Sequence, residues 1–164
     1  MRIRSMHLGE IEGREEDVLH IPEGVIGFEG RQDFLRVDDP EIWPFVWLVA
    51  TEDPDLAFAV TDPAHILHEP YELTIGEPER EALDLQESDC VEVLLLLSPT
   101  EAPGRFTANL KGPLVVNLRN RRAKQLLLYS ARLPLRHPVR RCDPARWGSE
   151  GGRAIVRMAG RRAA

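Results

Sequence analysis

The chain has 164 residues, 43% hydrophobic and 29% charged, which places it among ordinary globular proteins and excludes the disordered and collagen-like classes. A chain of this length buries about two-thirds of its unfolded surface, so a single domain with a core of its own is expected. The formal net charge of −6 hides a strong polarity: residues 1–100 carry 24 acidic side chains against 6 basic ones, and residues 101–164 carry 15 basic against 3 acidic.

Cys90 and Cys142 stand 52 positions apart, without a Cys-x-x-Cys or a Cys/His spacing suited to zinc. A reducing, cytoplasmic setting is therefore expected. The longest apolar run, residues 93–97, falls far short of the ~20 residues of a membrane span, and no secretory leader pattern opens the chain.

In chain order, residues 1–8 followed by Gly9 predict a strand entering a hairpin or bulged ribbon. Residues 18–21 predict another strand. The stretch Pro22-Glu23-Gly24-Val25-Ile26-Gly27-Phe28-Glu29 then predicts an ordered loop, because its two glycines permit positive φ and its apolar residues can fold back onto the body. Further strands are expected at 45–50, 57–60, 91–97, 114–118 and 125–129, each short, apolar and bounded by Pro, Gly, Asp or Asn. Thirteen prolines argue against long helices. One turn of helix is expected over residues 63–67 with Asp62 as its cap, and a helix of two or three turns beginning at Pro78. The fold class is mainly β, with one or two short helices.

The composition changes near Pro138. Residues 1–138 form a body of net charge −11, and residues 139–164 an arginine-rich tail with seven arginines, four glycines and a net charge of +5. Arg153, Arg157 and Arg161 recur at helical spacing, which suits a short basic amphipathic helix. The flanking glycines and the shortness of the segment favour disorder instead.

Catalytic signatures are missing: the sequence contains no phosphate-binding glycine loop, no His-Glu-x-x-His and no Gly-x-Ser-x-Gly. His65 and His68, with Asp62 and Glu69 nearby, have the spacing of metal ligands on a helix, but Pro70 interrupts such a helix and structural or solvated histidines are the reading adopted. His137 is expected at the end of the fold. The densest basic cluster, Arg119-Asn120-Arg121-Arg122-Ala123-Lys124, lies between two strands and reads as a hairpin turn. As a phosphate-binding loop it would lack the interleaved aromatics of a nucleic-acid platform.

The order of motifs resembles the FliW flagellar assembly factor family. The resemblance is carried by Gly9-Glu10-Ile11, Ile21-Pro22-Glu23-Gly24, Gly27-Phe28-Glu29, Trp47-Leu48, Asp53-Pro54-Asp55-Leu56-Ala57-Phe58 and Thr61-Asp62-Pro63. It continues through Thr107-Ala108-Asn109-Leu110, Pro113-Leu114-Val115-Val116-Asn117, Asn120, Lys124-Gln125 and Arg136-His137-Pro138, and so covers residues 1–138. It implies a compact, β-barrel-like single domain over that body, no enzymatic activity and no cofactor or metal. It also implies two protein partners, flagellin and the RNA-binding regulator CsrA, whose antagonism relieves repression of flagellin translation. Direct contact with nucleic acid or membrane is not expected. The alternative is a β-barrel that binds RNA through the 119–124 loop and the tail.

Two departures from the family pattern stand out. Arg121-Arg122-Ala123 occupies a turn where the family often has a glycine before Lys124, and the arginine tail extends past the usual end. The residues singled out for partner binding are Glu52, Asp53, Asp55, Asn109, Asn117 and Asn120, polar loop groups that equally serve to set turns. Trp43, beside Asp38, Asp39 and Glu41, is the candidate exposed aromatic anchor. Phe28, Trp47 and Phe58 are assigned to the core.

Overall fold

A computed structural model describes residues 1–139 and 152–159. Strands β1 (Arg2–Ser5) and β2 (Gly9–Glu12) form the expected hairpin, with Ile3 opposite Ile11. Next come β3 (Val18–His20), β4 (Asp33–Asp38), β5 (Val46–Ala50) and β6 (Ala57–Thr61), the last three each antiparallel to the strand before it. A 3-10 turn at Pro63–His65 follows, capped as expected by Asp62, whose carboxylate accepts from the Ala64 amide at 2.8 Å. Then come β7 (Tyr71–Ile75), α1 (Glu77–Ala82) and the long β8 (Val91–Pro99). The shorter strands β9 (Phe106–Ala108), β10 (Leu114–Asn117), β11 (Ala123–Gln125), β12 (His137–Val139) and β13 (Ala154–Met158) complete the set.

The main sheet has nine strands in the path β11-β10-β8-β6-β5-β4-β3, with β9 added to β8 and β12 to β9. Its two ends approach one another without pairing as strands. The contact is a parallel bridge between His20 and Arg122, in which the His20 amide donates to the Arg121 carbonyl at 2.9 Å. The sheet is therefore barrel-like, short of a closed barrel. The Pro22–Glu29 loop spans the seam, with the Ile26 amide donating to Gln125 Oε1 at 2.8 Å and Lys124 paired to Glu23 at 3.2 Å. Gly24 and Gly27 both take positive φ, 72° and 90°, as that loop requires.

Three apolar clusters explain the strand patterns. Leu19, Phe34, Leu48, Val60, Leu94, Leu114 and Val116 fill the interior of the curved sheet. On the outside of β8 and β10, Val93, Leu95, Leu97 and Val115 meet Tyr71, Leu73, Ile75 and Leu83, so that β7 and α1 form a second layer. The β1–β2 hairpin covers the outer face of β3 to β5 through Ile3, Ile11, Val18, Leu35 and Val49. Because β8 is covered on both faces, it reads as a continuous apolar run instead of an alternating one. Each fully buried leucine contributes roughly 1.5–3 kcal/mol.

Several expectations need correction. The strand read at 125–129 lies earlier, at Ala123–Gln125; beyond it the Leu126 and Leu128 amides donate to the carbonyls of Pro113 and Lys111. Pro113 has no amide to return, so the ladder stops there. Helix α1 is six residues long, shorter than expected, because Asp84 adopts φ 48° immediately after its C-cap. Strand β4 escaped notice because its alternation places Arg36 on the inward parity of Phe34. That arginine crosses the interior to Glu92, on the inward parity of Leu94, at 2.6 Å. In the tail, residues 154–158 are neither helical nor disordered: they form β13, parallel to β7. Arg161 lies outside the described residues. Phe28 is not a core residue but stands 45% exposed, its ring meeting Phe58 edge-on at 5.1 Å. Trp47 and Phe58 are half-buried.

Removing one end of the half-buried Arg36–Glu92 pair leaves the other charge without its partner. Glu92→Ala is expected to cost about 1–3 kcal/mol in urea denaturation, and an added Arg36→Met to recover part of it. At the seam, Arg121 holds φ 61°, a conformation unfavourable for a residue with a Cβ. Arg121→Gly should therefore raise stability by about 0.5–1 kcal/mol in the same assay.

Candidate partner-binding surface

The turn between β10 and β11 is built by its asparagines. Arg121 N donates to the Asn117 carbonyl at 2.8 Å, Arg122 N to Asn120 Oδ1 at 2.9 Å, and Arg119 N to Asn117 Oδ1 at 3.1 Å. Asn117 is fully buried, and its amide nitrogen reaches the Leu83 carbonyl at 3.0 Å and Asp89 at 3.1 Å. Asn120 donates to the same Leu83 carbonyl at 3.1 Å. These two residues thus tie the turn to the C-terminal end of α1, satisfying a helix carbonyl that would otherwise lack a partner.

Arg119 completes the network. Its guanidinium lies 2.8 Å from Asp89 and 3.3 Å from Asp84, and also donates to the Asp84 carbonyl at 2.7 Å. The hydrogen bond from Arg119, with a further one from the Gln86 amide, holds the Asp89 carboxyl below the usual carboxylate range. Of the basic cluster read from the sequence, Arg119 is therefore committed to Asp84 and Asp89, and Lys124 to Glu23. Arg122 is exposed.

The other candidates lie elsewhere. Asn109 sets the loop between β9 and β10, its Oδ1 accepting from the amides of Lys111 and Gly112 at 2.9 and 3.1 Å. In the β5–β6 turn, Asp53 pairs with Arg31 at 3.3 Å and Asp55 accepts from the Met6 amide at 2.8 Å, which joins this turn to the β1–β2 hairpin. Glu52 is exposed at the same turn. Trp43 lies in the β4–β5 loop, 51% exposed, in the same loop as Asp39 and Glu41 and following Asp38 at the end of β4. Because β5 runs from the Trp43 loop to the Glu52 turn, its five residues separate these two groups by roughly 17 Å. The structure brings Asn117 and Asn120 together, and Glu52 with Asp53 and Asp55, but it does not gather all seven candidates into one patch.

Sequence reasoning missed Asp84 and Asp89, the acidic half of the Arg119 network. Their signal was weak: acids in a polar stretch after a helix, thirty or more positions from their partner. It also missed the exposed apolar side chains Ile26, Leu127, Tyr129 and Leu135. The two histidines weighed as metal ligands go different ways, with His65 Nδ1 3.4 Å from Thr61 Oγ1 and His68 exposed. His137 lies in β12, where burial, with the charge of nearby His68, lowers its pKa. Among the described residues no group of three or more His, Cys, Asp or Glu is arranged to hold a metal, and no helix is long and apolar enough to cross a membrane.

Comparison with known proteins places these features in context. The family model described as FliW protein matches residues 2–139. The flagellar assembly factor FliW of Bdellovibrio bacteriovorus is 35% identical over 139 residues, covering 85% of this chain and 79% of that protein. The protein of the same name from Alkaliphilus metalliredigens is 34% identical over 141 residues, covering 85% and 86%. A crystal structure of the flagellar assembly factor FliW superposes with a TM-score of 0.73 at 28% identity, covering 84% of this chain and 96% of that one.

Since the folded Asp89 carboxyl ionises at lower pH than its unfolded counterpart, near 3.9, it contributes stability above that value, which is lost as pH falls through the folded pKa. The stability difference between the native chain and Asp89→Asn should therefore be constant above about pH 5 and shrink below about pH 4, as read from urea denaturation across a pH series.

Proposed function

The chain belongs to the FliW family, and on that premise we propose that it is a cytoplasmic flagellar assembly factor that binds flagellin and CsrA. By binding CsrA it antagonises the regulator and relieves repression of flagellin translation. The role is that of a binding protein without catalysis, cofactor or metal.

The observation that carries this reading is Trp43, half-exposed in a loop that follows the exposed Asp38 and contains the half-buried Asp39 and the exposed Glu41. An aromatic side chain among carboxylates suits a basic protein surface: the charges speed encounter and exclude acidic partners, and the ring supplies the buried anchor. The excess of acid over the body, −11 across residues 1–138, extends the same complementarity. Direct RNA binding through the 119–124 loop is less well supported. Arg119 and Lys124 already face Asp84, Asp89 and Glu23, which leaves fewer cations for phosphates.

Isothermal titration of the full chain against the cognate flagellin and CsrA tests the proposal. Binding to both is expected, with Trp43→Ala, in a chain that still folds, weakening CsrA affinity at least tenfold. Heat only with RNA, at an affinity falling steeply with salt, would overturn it in favour of the nucleic-acid reading.

A further inference from the structure

Strands β7 and β13 form a two-stranded parallel sheet outside the main one, and the two members are held very differently. β7 is anchored. Tyr71, Leu73 and Ile75 are buried in the cluster that covers β8, and the Tyr71 hydroxyl donates to the Leu110 carbonyl. β13 is lightly attached: Ala154, Ile155 and Val156 are half-buried, and Arg157 and Met158 are exposed. Its hold on the body is chiefly main-chain, continued past the ladder by Tyr71 N to Arg153 O at 3.0 Å and Ala159 N to Ile75 O at 2.9 Å. Ala154 and Val156 add packing on the cluster below. The ion pair of Arg157 with Glu72, at 3.5 Å, is solvent-exposed at both ends and worth little. β13 also lies outside residues 2–139, the span of the family match.

A rigid edge whose neighbour is bound mainly through its backbone is the arrangement by which extended peptides add to sheets. Main-chain bonds supply affinity, and alternate side chains supply specificity. We propose that the β7 edge is a strand-acceptor site for an extended peptide, and that β13 is a strap occupying it in cis, which a partner must displace. The partner's chemistry is read from the strap. It is a parallel segment with small or branched apolar residues two apart, as at Ala154 and Val156, and a cation next to the second, as at Arg157, to face Glu72. This inference stands independently of the flagellin and CsrA reading.

Gly152 provides the means of test. It is buried where the strap enters, and a Cβ there would collide with the Leu67 carbonyl oxygen and lie 2.8 Å from the Pro63 carbonyl oxygen. Both are backbone atoms of the turn beside β7, so a side chain at 152 should lift the strap and leave the buried face of β7 untouched.

The experiment uses the full chain, its Gly152→Val variant and a fluorescent synthetic peptide of residues 152–159. Amide exchange over Tyr71–Ile75 should be at least tenfold faster in the variant and return towards the native rate when peptide is added. The peptide should bind the variant at least tenfold more tightly than the native chain, in which the tethered strap competes at an effective concentration on the order of millimolar. A peptide carrying Val156→Asp should not bind. Should Gly152→Val fail to fold, Val156→Asp in the full chain lifts the same strap and is read in the same way. Equal peptide affinity for native and variant chains, or unchanged exchange over Tyr71–Ile75, would overturn the proposal. Cooperative unfolding of the whole chain by both variants would do so too, because β13 would then be an integral core strand.

Discussion

One turn, between Asn117 and Arg122, holds together parts of the molecule that are distant in sequence. Its inner side chains, Asn117 and Asn120, both donate to the Leu83 carbonyl at the end of α1, fixing the second layer against β10. Its outer backbone, at the Arg121 carbonyl, receives the His20 amide and brings the last strand of the sheet against the first. A turn that must satisfy a helix terminus on one side and a strand edge on the other has little freedom. Arg121 accordingly accepts a left-handed backbone, and Asn117 is buried despite being polar.

The remainder of the architecture follows from covering the curved sheet on both faces. The interior takes one apolar set from β3 to β11, the β1–β2 hairpin closes one outer face, and β7 with α1 closes another. β8 serves the interior and the outer layer at once, which is why Leu94 and Leu95 are equally buried although they point in opposite directions. The interior is not wholly apolar. Arg36 and Glu92 meet across it, each half-buried, so that each charge has its partner there.

Charge polarity in the sequence becomes charge compensation in the fold. Basic residues of the second half meet acids of the first: Arg119 with Asp84 and Asp89, Lys124 with Glu23, and Arg157 with Glu72. Two of these contacts occupy Arg119 and Lys124 of the basic turn between β10 and β11. Asp38 and Glu41 beside Trp43, and Glu52 and Asp55 in the β5–β6 turn, are exposed, where they can act on a partner's field.

Taken alone, the sequence determined the mainly β character, the β1–β2 hairpin, the Asp62 cap, the glycine-dependent loop at the seam and the family, because these rest on local rules of turn chemistry, short apolar runs and motif order. Only the tertiary structure decided where the strands close, why Arg36 sits in a strand, that Phe28 faces solvent and that residues 154–158 are a strand instead of a helix or a free tail. Each of these depends on a partner far along the chain: Glu92 for Arg36, Phe58 for Phe28, and the β7 edge for β13. The candidate surface divides in the same way. Asparagine and aspartate at loop positions were legible as turn-formers, whereas their separation onto different ends of β5 was not, because spacing along a strand becomes distance only once the sheet is built.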